Sequence, residues 1–428
     1  MQQEPLKIVV VGAGLVGLAT AVALRRQGHC VEIYESSSFK TELGAGLAVP
    51  SNTLRSLVEL GCIVKNLDPV ENLCFTSMAY DGSATGMRSD QTDYEARYGT
   101  PWVMAHRVDL HTELLRMATD DAIPGPPAKL FLNHRVVSCD AGTPSITLAT
   151  GMEVKADLIV GADGIRSTLR ETVLGGKDII IPPSRTAGFR WMVDASALEP
   201  YPELDWIVNA RPLGARLISA PMSPDSQTGK PDHRTIILYA CRGGSLINAI
   251  GMHDDTRDQD AIPWNVPVSR DDLFETYRDY HPRFQRLLAL APEDGIHIWQ
   301  MRVVPPLPTW VRGRICLAGD AAHASLPTMG QGFGQGLEDA VALATLLPLG
   351  THIGRISGRL AAYETLRKDR AEWIARESYE QQAVKEKRGV YLRSLEMRDA
   401  VMGYNIREEA ERVLCRVLAQ EKGEAGES

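Results

Sequence analysis

The sequence predicts an α/β fold, because two different patterns of apolar residues follow each other along the chain. In residues 1–178, apolar strands alternate with helical segments, a pattern typical of a parallel sheet covered by helices. From residue 179 short strands alternate with turns, which indicates an antiparallel sheet, and helical spacing dominates after residue 350. We therefore predict one domain from the first and third segments, a sheet domain from the second and a helical region from the fourth: 1–178, 179–297, 298–350 and 351–428.

Composition excludes several classes of protein. The 428 residues are 44% hydrophobic and 23% charged, an ordinary globular balance. The net charge of −8, without a long basic run, argues against a nucleic-acid partner. The seven cysteines form no CxxC pair, which argues against a disulfide framework or a metal site and favours a cytoplasmic location. No apolar run approaches the roughly 20 residues of a membrane span.

The first predicted strand, residues 7–11, runs into a glycine motif that opens a helix. Gly12 allows a tight turn, Gly14 lets a pyrophosphate approach, and Gly17 lets the helix pack on the strand. A second strand ends at Glu35, about 20 residues on, where an acid binds a ribose hydroxyl. This context predicts a Rossmann-like dinucleotide site, and the motif alone fits FAD and NAD equally.

Two further acids follow predicted strands. Asp163 comes after the strand at residues 158–160, and Asp320 after the one at 315–318. A single acid of this kind is explained by helix capping, worth about 1 kcal/mol. Two of them in a dinucleotide fold favour hydrogen bonds to ligand hydroxyls.

A glycine-rich turn follows Asp320. Pro327, Gly330 and Gly332 precede a helix predicted over residues 337–347. The N–H groups and the positive dipole end at the start of a helix suit a ligand that carries negative charge.

Two earlier segments are candidates for ligand contact. Residues 42–52 form a loop containing Gly46, and an ordinary loop before a helix is the alternative. Arg107 begins a helix and suits a phosphate or ribityl oxygen, whereas a surface arginine is the alternative.

The C-terminal spacing predicts two long helices, over residues 356–387 and 392–418, and a disordered tail from Gln420. These helices cover the first domain, and a dimer contact is the alternative, so the assembly is expected to be a monomer or a homodimer.

Together the motifs resemble the single-component FAD-dependent aromatic hydroxylases, the class of para-hydroxybenzoate and salicylate hydroxylases. The chain is most similar to the salicylate-hydroxylase-like enzymes of fungal secondary metabolism, over roughly residues 5–380. The resemblance implies tightly bound, non-covalent FAD with Glu35 on the adenosine ribose. It places Arg107 and Asp320 on the ribityl and pyrophosphate groups and Asp163 in the flavin site. Phe333 departs from the family, which usually has small and amide residues beside the flavin at this turn.

The resemblance also implies the chemistry. NAD(P)H binds transiently and reduces the flavin, and O2 then gives a C4a-hydroperoxide that oxygenates an electron-rich aromatic substrate. The turn from Gly330 to Phe333 would hold the negative charge of the reduced flavin, and Pro327 would help to exclude water.

Two residues of the predicted sheet are candidates on the substrate side. Fungal members of the family place an arginine on the strand of Arg190, where it would anchor a phenolate or the hydroperoxide, and pairing with an acid is the alternative. Tyr239 would donate to the substrate or orient it, and core packing is the alternative.

Three functions stay open at the level of the sequence. The first is hydroxylation of a phenolic, polyketide-type substrate. The second is epoxidation of an indole alkaloid with rearrangement to a spiro-oxindole. The third is a flavoprotein that transfers electrons without oxygenating a substrate.

Overall fold

The computed structural model describes residues 4–39, 44–177, 179–220, 232–255, 257, 265–387 and 389–426. The strands are β1 (Lys7–Val11), β2 (Cys30–Tyr34), β3 (Gly46–Val49), β4 (Val70–Glu71), β5 (Cys74–Ala79), β6 (Ala84–Asp90), β7 (Val103–His106), β8 (Lys129–Phe131), β9 (Val136–Asp140), β10 (Ser145–Leu148), β11 (Glu153–Lys155), β12 (Leu158–Gly161), β13 (Pro183–Asp194), β14 (Gly214–Ser219), β15 (Thr235–Cys241), β16 (Leu246–Asp254), β17 (Asn265–Pro267), β18 (His297–Arg302), β19 (Val311–Arg312) and β20 (Ile315–Leu317). The helices are α1 (Leu15–Arg26), α2 (Ser51–Glu59), α3 (Tyr94–Tyr98), α4 (Arg107–Thr119), α5 (Leu169–Val173), α6 (Asp205–Val208), α7 (Arg270–Thr276), α8 (Pro282–Ala289), α9 (Asp320–His323), α10 (Gly332–Leu346), α11 (Ile356–Ala383), α12 (Val390–Arg393), α13 (Leu395–Met402) and α14 (Ile406–Gly426).

The first lobe is built on a sheet with the strand order β19-β20-β12-β1-β2-β8, parallel except for the edge strand β19. Its central strands are continuous apolar runs because both faces are covered, as in other parallel sheets. Helices α1 and α10 pack together on this lobe so closely that a Cβ at Gly336 would lie 2.3 Å from a methyl group of Val16. The predicted α/β class is confirmed.

The second lobe is a sheet with the order β17-β18-β13-β16-β15-β14-β5-β6, antiparallel except between β14 and β5. Phe189, Trp191 and Leu238 face a core that includes residues of α7 and α8, such as Leu273 and Phe284. The alternate side chains on β13, β15 and β16 face the first lobe, because successive residues of a strand point to opposite sides. This second face carries the candidate substrate residues.

The sheet also draws strands from beyond the predicted segment 179–297. Strands β5 and β6 come from within residues 1–178, and β18 crosses residue 297. One edge of this sheet is therefore formed by residues 74–90, outside the predicted sheet segment. The four segment boundaries stay a prediction.

Several helices differ from the prediction. The spacing of apolar residues over 271–290 predicts a single helix. The structure has two helices there, α7 and α8, because Pro282 has no N–H to continue the helical ladder. Helix α10 begins at Gly332, five residues before the predicted start at 337, so the glycine-rich segment is already helical. The second long C-terminal helix, predicted over 392–418, is divided into α12, α13 and α14.

The predicted disorder from Gln420 is wrong for the residues described, because α14 continues to Gly426. Arg359 on α11 holds this end of α14 by an ion pair to Glu421, with Nε and Oε1 2.9 Å apart. No helix in the described part of the chain is long and apolar enough to cross a membrane.

Candidate active site

A cleft of about 600 Å³ opens where β1, β2 and β12 end, the edge at which open parallel sheets bind their ligands. Gly12 has a φ of +97°, and a Cβ there would lie 2.5 Å from the carbonyl oxygen of Ala162. A Cβ at Gly17 would lie 2.0 Å from the carbonyl oxygen of Gly12, so both positions require glycine. Around Gly14, by contrast, no described atom comes within 4 Å of an added Cβ, which leaves room for a pyrophosphate.

Glu35 lines the same cleft in a fixed orientation. The Ala13 N–H donates to Oε2 at 2.8 Å, and the Ser37 N–H donates to Oε1 at 2.7 Å. Burial raises the pKa of Glu35, but these hydrogen bonds and one from the Ser36 hydroxyl outweigh it and lower the pKa overall. The carboxylate is therefore ionised and positioned to accept from ribose hydroxyls.

Asp163 holds the start of the segment after β12. The Thr168 N–H donates to Oδ2 at 2.7 Å, whereas Oδ1 is buried and has no partner among the described residues. Burial raises the pKa of Asp163, against the hydrogen bonds from Ser167 and Thr168. An unpartnered carboxyl oxygen beside a nucleotide cleft fits a cofactor hydroxyl, because buried polar atoms are normally hydrogen-bonded.

Asp320 follows β20 and is exposed along one side. Burial by the protein on its other sides raises the pKa of Asp320, whereas the charges of His323, Arg170 and Arg107 oppose this rise. The backbone just before Asp320 is held in place, because the Gly319 N–H donates to Oδ2 of the buried Asp339 at 2.8 Å.

The glycine-rich turn has one tight position and one open position. Gly330 has a φ of +64°, and a Cβ there would lie 3.2 Å from the Ala48 Cβ. At Gly332 no described atom lies within 4 Å of an added Cβ, and the first N–H groups of α10 have no intrahelical partners. The Phe333 ring packs in the core of the first lobe. Pro327 is exposed, and the buried residue of this turn is Met329, which was not predicted.

Arg190 lies on the face of the second sheet that points to the first lobe. Its register partner on β16 is Ile250, and its guanidinium lies 5.7 Å from the centre of the Trp299 ring. Burial lowers the pKa of Arg190, while the charges of Tyr239 and Arg107 act on it in opposite directions. The structure thus brings Arg190, Tyr239 and Arg107 into one electrostatic neighbourhood.

The first lobe contacts this face through β3. The Gly46 N–H donates to Oδ1 of Asn248 at 2.8 Å, and a Cβ at Gly46 would lie 2.5 Å from the Tyr239 ring. Burial raises the pKa of Tyr239, against the charge of Arg190. Gly46, predicted as a cofactor contact, therefore packs directly on the candidate substrate residues, and Asn248 was missed because its role depends on this tertiary contact.

An aromatic cluster borders the site on its far side. Trp102 lies 5.1 Å from Phe75 and 6.2 Å from both Tyr94 and Tyr391, measured between ring centres. Met329 belongs to the same cluster. No pattern in the sequence brings these residues together, since they come from separate parts of the chain.

A buried network of side-chain ion pairs supports the glycine-rich turn. Its members are Arg367 and Arg370 of α11, Glu338 and Asp339 of α10, and His323. The Arg367 Nε donates to Asp339 Oδ1 at 2.9 Å, and His323 Nε2 lies 2.6 Å from Asp339 Oδ2. His323 is thus held within the protein rather than directed at a ligand.

A two-lobed α/β fold with a dinucleotide cleft and a sheet face next to it fits a flavin-dependent enzyme. The family model described as an FAD binding domain matches residues 5–192 and 248–378, and the chain belongs to this family. The open positions at Gly14 and Gly332 and the unpartnered Asp163 Oδ1 fit such a cofactor.

The relatives specify the activity further. Hispidin-3-hydroxylase from Neonothopanus nambi is 63% identical over 97% of this chain and 98% of the relative. Salicylate hydroxylase from Pseudomonas putida is 30% identical over 94% of this chain and 88% of the relative. The solved structure of CtdE in complex with FAD and substrate 4 has a TM-score of 0.81 at 18% identity, over 97% of this chain and 100% of the other, and shares the fold.

The chain is an FAD-dependent monooxygenase that hydroxylates a small aromatic molecule in secondary metabolism. The prediction of a salicylate-hydroxylase-like enzyme of the fungal secondary-metabolism type is confirmed, and the non-oxygenating alternative is wrong.

We expect the FAD to be non-covalent. The described residues that line the cleft include neither histidine nor cysteine, two side chains to which flavins are attached covalently. Denaturation of the yellow protein followed by filtration should leave all flavin in the filtrate. Flavin that stays with the denatured polypeptide would contradict this prediction.

Asp320→Ala is expected to weaken FAD binding roughly tenfold to a hundredfold, because a hydrogen bond to a charged group contributes about 1.5–3 kcal/mol. Titration of apoprotein with FAD, followed by flavin fluorescence, measures this affinity. Asp121→Ala, at an exposed position, is the matched control. Wild-type FAD affinity in Asp320→Ala would show that Asp320 does not contact the cofactor.

Proposed function

We propose that this monooxygenase uses NAD(P)H and O2 to hydroxylate hispidin or a close phenolic analogue at the carbon numbered 3. The substrate would lie between the second sheet and the turn at Gly330, and Arg190 would bind one of its ionised hydroxyl groups. Glu35, Arg107, Asp163 and Asp320 would hold the FAD, which supplies the oxygenating chemistry.

The observation that carries this proposal is the environment of Arg190. Among the described residues no hydrogen bond or ion pair is formed by its guanidinium, and its close neighbour is the face of Trp299. The described residues therefore give no support to the alternative that Arg190 pairs with an acid of the sheet. A partly buried cation without a carboxylate partner favours an anionic ligand, since burying an unpaired charge is costly.

An ionised substrate also suits the reaction. Removing the proton from a hydroxyl group raises the electron density of the ring carbons next to it, and the oxygenation consumes that electron density. Arg190 would stabilise the phenolate or enolate form, and the Tyr239 phenol, neutral because burial raises its pKa, would orient it. The relative at 63% identity supports hispidin as the substrate, because its name states that compound and position.

A panel of hispidin, salicylate and indole tests the proposal. With hispidin we expect consumption of NADPH or NADH and a product that has gained one oxygen atom, labelled when the assay contains ¹⁸O2. Mass spectrometry and product NMR locate the new hydroxyl group. Oxygenation of indole but not of hispidin would overturn the proposed substrate and favour the alkaloid alternative.

A further inference from the structure

A buried amide on the substrate face of the sheet has half of its hydrogen-bonding capacity unused. Asn248 is 1% exposed and lies on β16 between Met192 on β13 and Tyr239 on β15. Its Oδ1 accepts from the Gly46 N–H at 2.8 Å. Its Nδ2 is buried and has no partner among the described residues.

The orientation of this amide is set by its chemistry. The Gly46 N–H needs an acceptor, so the oxygen of Asn248 must face it and the NH2 group must point the other way. The contact is also tight, because a Cβ at Gly46 would lie 2.6 Å from the Asn248 Cβ. Asn248 therefore presents a fixed N–H donor, and a buried donor without an acceptor is unfavourable unless a ligand supplies one.

The neighbours of this donor are those of the proposed substrate site. Tyr239 is the direct partner of Asn248 across the β15–β16 ladder. Arg190 is its diagonal neighbour across β13–β16, and the α-carbons of such diagonal pairs lie about 7–8 Å apart. The amide, the guanidinium and the phenol are all donors, so together they suit a ligand with more than one acceptor oxygen.

We infer that Asn248 is a specificity-determining residue whose Nδ2 donates to a second oxygen of the substrate, beside the oxygen bound by Arg190. Two fixed donors at this spacing select aromatic substrates with two neighbouring oxygens and determine which ring carbon is presented to the flavin. This inference rests on the proposed function, because it takes Arg190 as the anchor of the substrate anion.

The alternative role is structural. In it Asn248 is only a brace for β3: its Oδ1 accepts from the Gly46 N–H, and its Nδ2 has no function. Asn248→Asp separates the two roles, because aspartate keeps an acceptor for the Gly46 N–H and, at nearly unchanged shape, replaces the donor with an oxygen that repels a substrate oxygen. If Asn248 only holds β3, its second polar atom does not face the substrate and this change leaves substrate binding unaltered. Asn248→Leu removes both functions. Asn133→Asp is the matched control, since Asn133 is exposed and already has a positive φ of 59°.

The experiment measures the Kd of hispidin for the FAD-loaded variants by calorimetry without NADPH, together with FAD content, the fraction of NADPH coupled to product and the position of hydroxylation. For Asn248→Asp we expect normal FAD content, a Kd raised tenfold or more, lower coupling and more than one product isomer. Asn133→Asp should match the wild type. Wild-type affinity, coupling and product in Asn248→Asp, with FAD lost only in Asn248→Leu, would overturn the inference and leave Asn248 as a brace.

Failure of the proposed function gives a different result. If the wild type does not hydroxylate hispidin but oxygenates salicylate or indole, the proposed substrate is wrong and the same comparison of variants is made with that substrate. If the wild type binds none of the three compounds, the proposed substrate site and this inference are both overturned.

Discussion

Replacing Arg367 with methionine is expected to lower the free energy of unfolding by about 3–5 kcal/mol, because it removes one cationic partner from each of two buried carboxylates, Glu338 and Asp339. Arg367 is fully buried, and its guanidinium binds Glu338, Asp339 and the side chain and carbonyl of Gln335.

The effect should reach the cofactor as well as the stability. Asp339 holds the Gly319 N–H, and Gly319 precedes Asp320, so loosening the network displaces a residue proposed to bind FAD. Chemical denaturation at a fixed excess of FAD, followed by tryptophan fluorescence, measures the change. Arg376→Met, at an exposed position of the same helix, should remain within about 0.5 kcal/mol of the wild type. A loss below about 1 kcal/mol in Arg367→Met would mean that the network adds little to folding.

The loss should also depend on pH. In the wild type the arginines Arg367 and Arg370 outweigh burial and hold the pKa of Glu338 below its ordinary value, and His323 and Arg367 do the same for Asp339. Groups with a lowered folded pKa stabilise the protein above their unfolded pKa, and that contribution is lost as the pH falls through the folded pKa. Without Arg367 one of the charges that oppose burial is lost, so both pKa values move upward from their wild-type positions and the variant loses less stability as the carboxylates are protonated. The difference in unfolding free energy between wild type and Arg367→Met should therefore shrink from pH 7 towards pH 5.

The parts of the site that could be predicted from sequence are those whose function depends on local geometry. Strand β1 is observed where it was predicted, and the conformations of Gly12 and Gly17 are forced by contacts within the strand-turn-helix unit. Strand β15 (Thr235–Cys241) lies in the segment predicted as an antiparallel sheet, and Gly243, two residues after the strand, has a positive φ of 60°. Such motifs carry their own structural constraints within a few residues.

The remaining features could not be predicted because they depend on pairs distant in the chain. Asn248 acquires its role from Gly46, about 200 residues earlier, and nothing in its own strand distinguishes it from a core amide. Arg367 is one of several charged residues on α11, and its burial follows from the way α11 packs on α10. The break before α8 was missed for a different reason, since the apolar spacing continues across Pro282 and only the missing N–H stops the helix.

Arg190→Met is expected to retain FAD and the fold but to lose oxygenated product roughly tenfold to a hundredfold. Arg190 lies on β13, which is separate from the cleft formed by β1, β2 and β12, so we expect the cofactor to stay bound. Under the proposed function its removal takes away a charge-assisted hydrogen bond to the substrate anion, which contributes about 1.5–3 kcal/mol. Electrons from NADPH should then appear as hydrogen peroxide, because reduced enzyme still meets O2.

The measurement follows NADPH consumed, product formed and peroxide released in one assay. Arg190→Lys should recover part of the coupling, since the ammonium keeps the charge but lacks the planar fork that binds two oxygens. Raising the pH from 7 to 8 should raise the coupling of Arg190→Met more than that of Arg190→Lys if the methionine variant is limited by ionisation of the substrate without a cation. Arg185→Met, at an exposed position of the same strand, is the control and should behave as the wild type.

Unchanged coupling in Arg190→Met would remove Arg190 from the substrate site and leave Tyr239 and Asn248 as the groups that hold the substrate. The assay therefore decides whether a cation that has no acidic partner among the described residues acts on the substrate or only packs against Trp299.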